Sequence, residues 1–164
     1  MKIGVISDTH ITNNGKEIPQ EILEAFKNVD IVIHCGDLVD IDILKQLKKY
    51  CPDTRAVFGN MDSDESRKKL PEKLIFQEGK FKIGVMHGYG HPANLIEVLK
   101  KEFRAEKPDL IIFGHSHNPI CEKIDGTIFF NPGSPTDKIF APYNSYGIIE
   151  IGDKIDGKII KLKD

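Results

Sequence analysis

The chain has 164 residues, 40% of them hydrophobic and 29% charged, with a net charge of -2 at pH 7. This composition fits a globular fold, expected as one domain over 1–164, and it offers no electrostatic footprint for nucleic acid. No apolar run approaches the roughly 18–20 residues that span a bilayer, and the N-terminus lacks a signal-peptide pattern. The three cysteines, Cys35, Cys51 and Cys121, are too few and oddly numbered for a disulfide framework, which points to a reducing cytoplasm.

In chain order, β-branched apolar residues at 2–7 predict a short buried strand. Ile22, Leu23 and Phe26 then recur at helical spacing behind Pro19. Residues 30–35 predict a second strand, Ile41, Leu44 and Leu47 one face of a second helix, and 54–59 a third strand. This β-α-β-α-β order implies parallel strands joined by helical crossovers. The charge run at 63–70 reads as a solvated short helix. Two strands then meet at Glu78-Gly79, and Leu95, Leu99 and Phe103 share a helical face. Residues 109–114 predict another buried strand, Asp125-Gly126 marks a hairpin, and 146–162 reads as a last one. Parallel units first and antiparallel strands later predict an α/β fold of two mixed β-sheets, packed as a sandwich with flanking helices.

Five predicted strands end alike. Asp8 and His10 follow the first, Asp37 the second and Asn60 the third; His87 follows a later one, and His115 with His117 another. Open α/β sheets bind ligands at the carboxyl edge of their strands. Residues two apart on extended chain point the same way, so Asp8 with His10, and His115 with His117, are each expected to aim at one point. A single strand-end Asp or His is usually a cap or turn residue. Seven N and O donors at five strand exits are hard to explain by capping alone. Without thiolates, they suit intermediate divalent ions such as Mn²⁺, Fe²⁺, Co²⁺, Ni²⁺ or Zn²⁺ rather than Ca²⁺, and Mn²⁺ is the one expected. Seven donors exceed one tetrahedral ion but suit two ions sharing a carboxylate. Such a pair, about 3.5–4 Å apart, can hold a hydroxide and bracket a phosphoryl group. His34, inside an apolar run, reads as a satisfied core or supporting histidine, and Cys35 as a small buried hydrophobe.

The ordered motifs "DTH" (Asp8, His10), "GD" (Asp37), "GN" (Asn60), "HG" (His87) and "GHSH" (His115, His117) resemble those of the calcineurin-like metallophosphoesterases. The short chain, "HCGD" and "NPGS" at 131–134 resemble the compact YfcE-like phosphodiesterases among them. The resemblance implies one metal on Asp8, His10 and His117, a second on Asn60, His87 and His115, and Asp37 as the bridge. It also implies a dinuclear phosphodiesterase working through a metal-bridging hydroxide, with Asp37 and Asn60 as catalytic residues. Alternatives are a phosphomonoesterase and a non-catalytic scaffold of the retromer type. Met61 stands where many members carry a histidine beside the leaving group, and a thioether cannot donate a proton. The chain reads "HGYGH" where compact members read "HGH", so Tyr89 and His91 join Asn60 as candidate substrate contacts. The expected partner is a small phosphodiester. Membrane and nucleic acid are not expected, and a homo-oligomer is admitted.

Overall fold

The computed structural model describes residues 1–12 and 17–163. Its elements run β1 (Lys2–Ile6), α1 (Gln20–Phe26), β2 (Ile31–His34), α2 (Ile43–Lys48), β3 (Thr54–Ala56), α3 (Asp64–Lys69), β4 (Lys73–Glu78) and β5 (Phe81–Met86). They continue with α4 (Leu95–Glu102), β6 (Leu110–Ile112), β7 (Ile120–Ile124), β8 (Thr127–Asn131), β9 (Ser145–Ile151) and β10 (Ile155–Lys161). A 3₁₀ turn, Pro92–Asn94, leads into α4.

Two five-stranded sheets form, ordered β10-β9-β1-β2-β3 and β4-β5-β6-β8-β7. Their facing sides share one core, with Ile3, Val5, Ile31 and Ile33 from the first sheet and Ile83, Val85, Leu110 and Phe130 from the second. Ile22, Leu23 and Phe26 of α1 and Leu47 of α2 seal the outer face of the first sheet. Leu95 and Leu99 of α4, with Phe103 just beyond it, seal the second against Ile111 and Phe129. Leu95 and Leu99 lie one helical turn apart and Phe103 another, so all three fall on the side that meets the sheet. The expected sandwich of two mixed sheets with outer helices is the fold observed.

Two expectations about the elements are corrected. In α2 the buried pair is Ile43 and Leu47, while Ile41 lies before the helix and is half-buried. The helix begins at Ile43, so the inward face starts there. The later strands are also not simply antiparallel, because β5, β6 and β8 all run parallel. The chain crosses over through α4 between β5 and β6. Strand β7 then turns back at Asp125-Gly126, both with positive φ (49° and 89°), which returns β8 parallel to β6. The run 63–70 is the expected short helix, capped by the Ser63 hydroxyl accepting the Ser66 amide at 3.2 Å.

This topology sends the carboxyl ends of β1, β2, β3, β5 and β6 to one rim. The loops leaving them stay stitched together. The amide of Asp8 donates to Gly36 O at 3.0 Å, that of His10 to Asp37 O at 3.1 Å, and that of Gly114 to His87 O at 3.2 Å.

Candidate metal centre

Asp8 and His10 leave β1, Asp37 leaves β2, Asn60 follows β3, His87 follows β5, and His115 and His117 follow β6. The rim brings all seven together. His10 Nε2 and His117 Nε2 face each other at 3.2 Å. Asn60 Oδ1 lies 3.1 Å from His87 Nε2 and 3.0 Å from His115 Nδ1. The reason they converge differs from the expectation. Asp8, His10, Asp37, His115 and His117 all have positive φ, between 46° and 69°, so none of these pairs lies on extended chain. Left-handed turns aim the side chains instead. Five non-glycine residues in a sparsely populated region mark backbone held in place by its surroundings.

The two carboxylates are the heart of the cluster. Asp8 is 0% exposed and Asp37 2%. Asp8 Oδ2 accepts from the Ser7 hydroxyl at 2.6 Å and the His115 amide at 3.1 Å. Asp8 Oδ1 has no hydrogen-bond partner. It faces His117 Nε2 at 3.3 Å, His87 Nε2 at 3.8 Å and His10 Nε2 at 3.9 Å. Asp37 Oδ1 accepts the Met61 amide at 2.7 Å, and its Oδ2 lies 3.3 Å from His87 Nε2 and 3.8 Å from His10 Nε2. Among the described residues no lysine or arginine pairs with either carboxylate.

The imidazoles are oriented from behind. His87 Nδ1 donates to Cys35 O at 2.7 Å, and His117 Nδ1 donates to Asp137 Oδ2 at 2.5 Å. Each bond fixes the ring and aims its Nε2 toward the carboxylates, the arrangement by which histidines are set up to ligate metal. Electrostatics agree. Burial opposes a charge on His117, but Asp8 and Asp137 outweigh it and raise its pKa to about 9. Burial likewise opposes protonation of His87, and Asp37 and Asp8 overcome it, so its pKa is raised. Burial opposes ionisation of Asp37, yet His87, the Met61 amide and His10 together hold its pKa below the usual carboxylate range. Two buried carboxylates thus demand nearby positive charge, which imidazole protons or a divalent cation can supply. An orphaned buried carboxylate oxygen facing three imidazole nitrogens fits a cation. Ligand atoms close enough to share an ion fall into two overlapping groups, Asp8-His10-His117 and Asp8-Asp37-His87. These groups overlap at Asp8, whereas Asp37 Oδ2 lies between His10 and His87.

The motif glycines are explained by close approach. A Cβ on Gly59 would overlap Asp37 Oδ1 and come within 2.5 Å of its nitrogen; one on Gly114 would meet Ser7 Oγ and Asp8 Oδ2. His34, fully buried, shares a 3.1 Å hydrogen bond with Thr9 Oγ1 and accepts the Gly36 amide at 3.2 Å, so it supports two ligand loops. Burial drives its pKa down to about 3. Tyr89 donates its hydroxyl to Glu102 at 2.8 Å, while its backbone neighbour Gly90 O accepts from His115 Nε2 at 2.8 Å. His91 Nδ1 caps the 3₁₀ turn by accepting the Ala93 amide at 3.2 Å. Among the described residues neither side chain hydrogen-bonds any of the seven donors.

The sequence reading passed over several supporting residues. Asp62 accepts three amides, from Asp37 (2.9 Å), Val39 (2.7 Å) and Gly59 (2.7 Å), tying the "GD" loop to the "GN" loop. Arg67 closes that loop from outside through the carbonyls of Gly59, Asn60 and Asp62. In "NPGSPTD", Asn131 holds Gly114 O at 2.8 Å and Ser134 holds Asp8 O at 2.7 Å, so this motif is the backing of two ligand loops. The signal available was the presence of Asp62 and Asp137 within or just after recognised motifs. Their partners are backbone amides and a distant imidazole, which no spacing rule reveals.

Comparison with known proteins shows what the chain is similar to. The profile of the calcineurin-like phosphoesterase superfamily domain matches residues 1–154. A "probable metallophosphoesterase" of Methanocaldococcus jannaschii is 38% identical, covering 100% of this chain and 83% of its own. The structure of an archaeal phosphodiesterase superposes with a TM-score of 0.80 at 26% identity, covering 99% of this chain and 100% of that one. Vps29 of Entamoeba histolytica, solved with Zn²⁺, superposes with a TM-score of 0.76 at 25% identity, covering 98% and 99%. The match over residues 1–154 and the 38% identity across the whole chain show that the chain belongs to the calcineurin-like phosphoesterase superfamily.

Proposed function

We propose that this protein is a dinuclear metal-dependent phosphodiesterase. One observation carries the reading: Asp8 Oδ1 is buried without a hydrogen-bond partner and faces three imidazole nitrogens. Asp8, His10 and His117 would hold one ion, Asn60, His87 and His115 the other, and Asp37 would bridge them. When bound, the ions would lower the pKa of a water, neutralise the phosphate and hold the attacking oxygen for in-line displacement. The nitrogen and oxygen donors suit an intermediate divalent ion, with Mn²⁺ proposed and Ni²⁺, Fe²⁺, Co²⁺ or Zn²⁺ as substitutes.

The residues of the chain do the rest. Asn60 contributes a neutral carbonyl oxygen, which adds no negative charge where phosphate must sit. Asp37 is kept ionised by its hydrogen bonds, and its carboxylate balances the centre. A diester is favoured over a monoester because cationic residues around the centre are few. Arg67 spends its guanidinium on backbone carbonyls, and Lys138 is the cation bordering the adjoining cleft. The whole chain would act as one cytoplasmic domain, as its free thiols suggest. Among the described residues no helix is long and apolar enough to cross a membrane.

Elemental analysis of protein purified without chelator, paired with a screen of phosphate mono- and diesters with and without EDTA, tests this reading. Two ions per chain and chelator-sensitive diester cleavage are expected. One ion or none at saturation removes the dinuclear centre. Monoesters hydrolysed in preference to diesters would shift the substrate class. Likeness to Vps29 favours a second reading, a protein-binding scaffold. That reading gains if metal-loaded protein turns over neither ester class.

A further inference from the structure

A cleft of about 690 Å³ opens beside the His10 and His117 end of the centre. The hollow bordered by Asn60, His87 and Tyr89 holds only about 120 Å³. Pockets that take small-molecule ligands run from about 300 to 1,000 Å³, so only the first can accept a bulky substituent.

The wall of that cleft is built rather than loose. Phe140 and Ile139 are 77% and 82% exposed, an unusual cost for two large apolar side chains in sequence. They sit on a loop stapled from inside. Asp137 accepts the amides of Ile139 (2.8 Å), Phe140 (3.1 Å) and Ala141 (3.1 Å), while Asn144 donates to Asp137 O at 2.7 Å. The same Asp137 carboxylate braces His117, and the Phe140 ring meets the His117 ring edge to face at 6.3 Å. One residue therefore fixes both a metal-facing imidazole and an exposed aromatic surface beside it. Lys138 borders the same cleft.

We propose that this cleft is a subsite for an aromatic substituent of the substrate, a nucleobase or aryl group joined to the phosphodiester, with Phe140 as its stacking surface. The inference rests on the phosphodiesterase reading for the position of the phosphate. Aromatic rings stack on exposed phenylalanine without needing specific hydrogen bonds, and a phosphate held at the centre would place its substituent along the wall formed by residues 137–140.

The chain contains no tryptophan, so Phe140→Trp installs a single fluorophore in the subsite. Adenosine 5′-monophosphate, titrated in Mn²⁺, is expected to quench it saturably, while ribose 5-phosphate at equal Mn²⁺ leaves it unchanged. Equal quenching by the two, or none by either, overturns the subsite. In parallel, Phe140→Ala is expected to raise KM for bis(p-nitrophenyl) phosphate about tenfold, within the range that loss of one stacking platform costs, with Phe140→Tyr restoring it. An unchanged KM overturns the proposal. If wild-type protein cleaves no diester, the phosphodiesterase reading fails by that result, and the nucleotide titration alone decides the subsite.

Discussion

The Asp137 carboxylate accepts the Nδ1 proton of His117 at 2.5 Å and so aims His117 Nε2 at Asp8 Oδ1, 3.3 Å away. Buried influences oppose the charge on Asp137, but His117 and the amides of Ile139 and Phe140 outweigh them and hold its pKa down to about 2. The pair therefore stays ion-paired across the working pH range. Below about pH 9 the metal-free His117 carries a proton on Nε2 that any ion must displace. Metal affinity should thus tighten as pH rises toward 9. Asp8 raises His117 most and Asp137 adds to it, so Asp137→Asn removes the smaller of the two charges, moves the proton competition partway to lower pH, and loosens the ring. Affinity at pH 8 should fall about 10- to 100-fold. Calorimetric metal titrations from pH 6.5 to 9 check both effects; identical curves for the two proteins would discard the role.

Asp62 binds three amides of the two loops that carry Asp37 and Asn60. Asp62→Ala leaves these donors unpaired in a buried place, at about 1–3 kcal/mol for each group not reached by water. A total loss near 3 kcal/mol is expected in urea unfolding of metal-free protein. Asp62→Asn keeps one oxygen and should lose about half as much. Both variants should also bind metal more weakly. Full stability in Asp62→Ala would show that the loops are held by other contacts.

His34 is neutral in the fold, with its pKa lowered to about 3, while the unfolded chain titrates near 6.5. Between these values the unfolded state binds a proton that the folded state refuses. Stability should therefore fall with decreasing pH across this window, by up to about 1.4 kcal/mol per unit from this residue. His34→Gln should make unfolding free energy less steep by one proton over the same window. Parallel slopes for the two proteins would rule out His34 as the source.

Met61 donates its amide to Asp37 while its side chain is 58% exposed, leaving room for a larger head group. With no acid at this position, the departing oxygen leaves largely as an anion, so diesters of phenols should be cleaved far faster than those of alkanols. General acid assistance is worth about 10²–10⁴-fold. Met61→His should recover part of that factor, and chiefly on alkyl leaving groups. Rates on a graded series of diesters at equal metal occupancy would show a steep leaving-group dependence that flattens in the variant. A shallow dependence in the wild type would place a donor elsewhere, with Tyr89 and His91 first to replace.

Much of this fold was legible in the chain because its signals are local. Apolar runs and helical periodicity marked β1, β2, α1 and α4, and Asp125-Gly126 marked its hairpin, since each depends only on neighbouring residues. The donors were legible for the same reason: each lies a few residues past an apolar strand. Tertiary structure decided what depends on distant partners. It chose left-handed backbone over extended chain to aim Asp8, His10, His115 and His117, because loops stitched to one another tolerate that strain. It set Ile43 rather than Ile41 against the core, because helix onset fixes the inward face. It made Asp62 and Asp137 into supports, because a carboxylate's role is set by the amides and imidazole that folding brings to it, and those lie as far as 25 residues away along the chain.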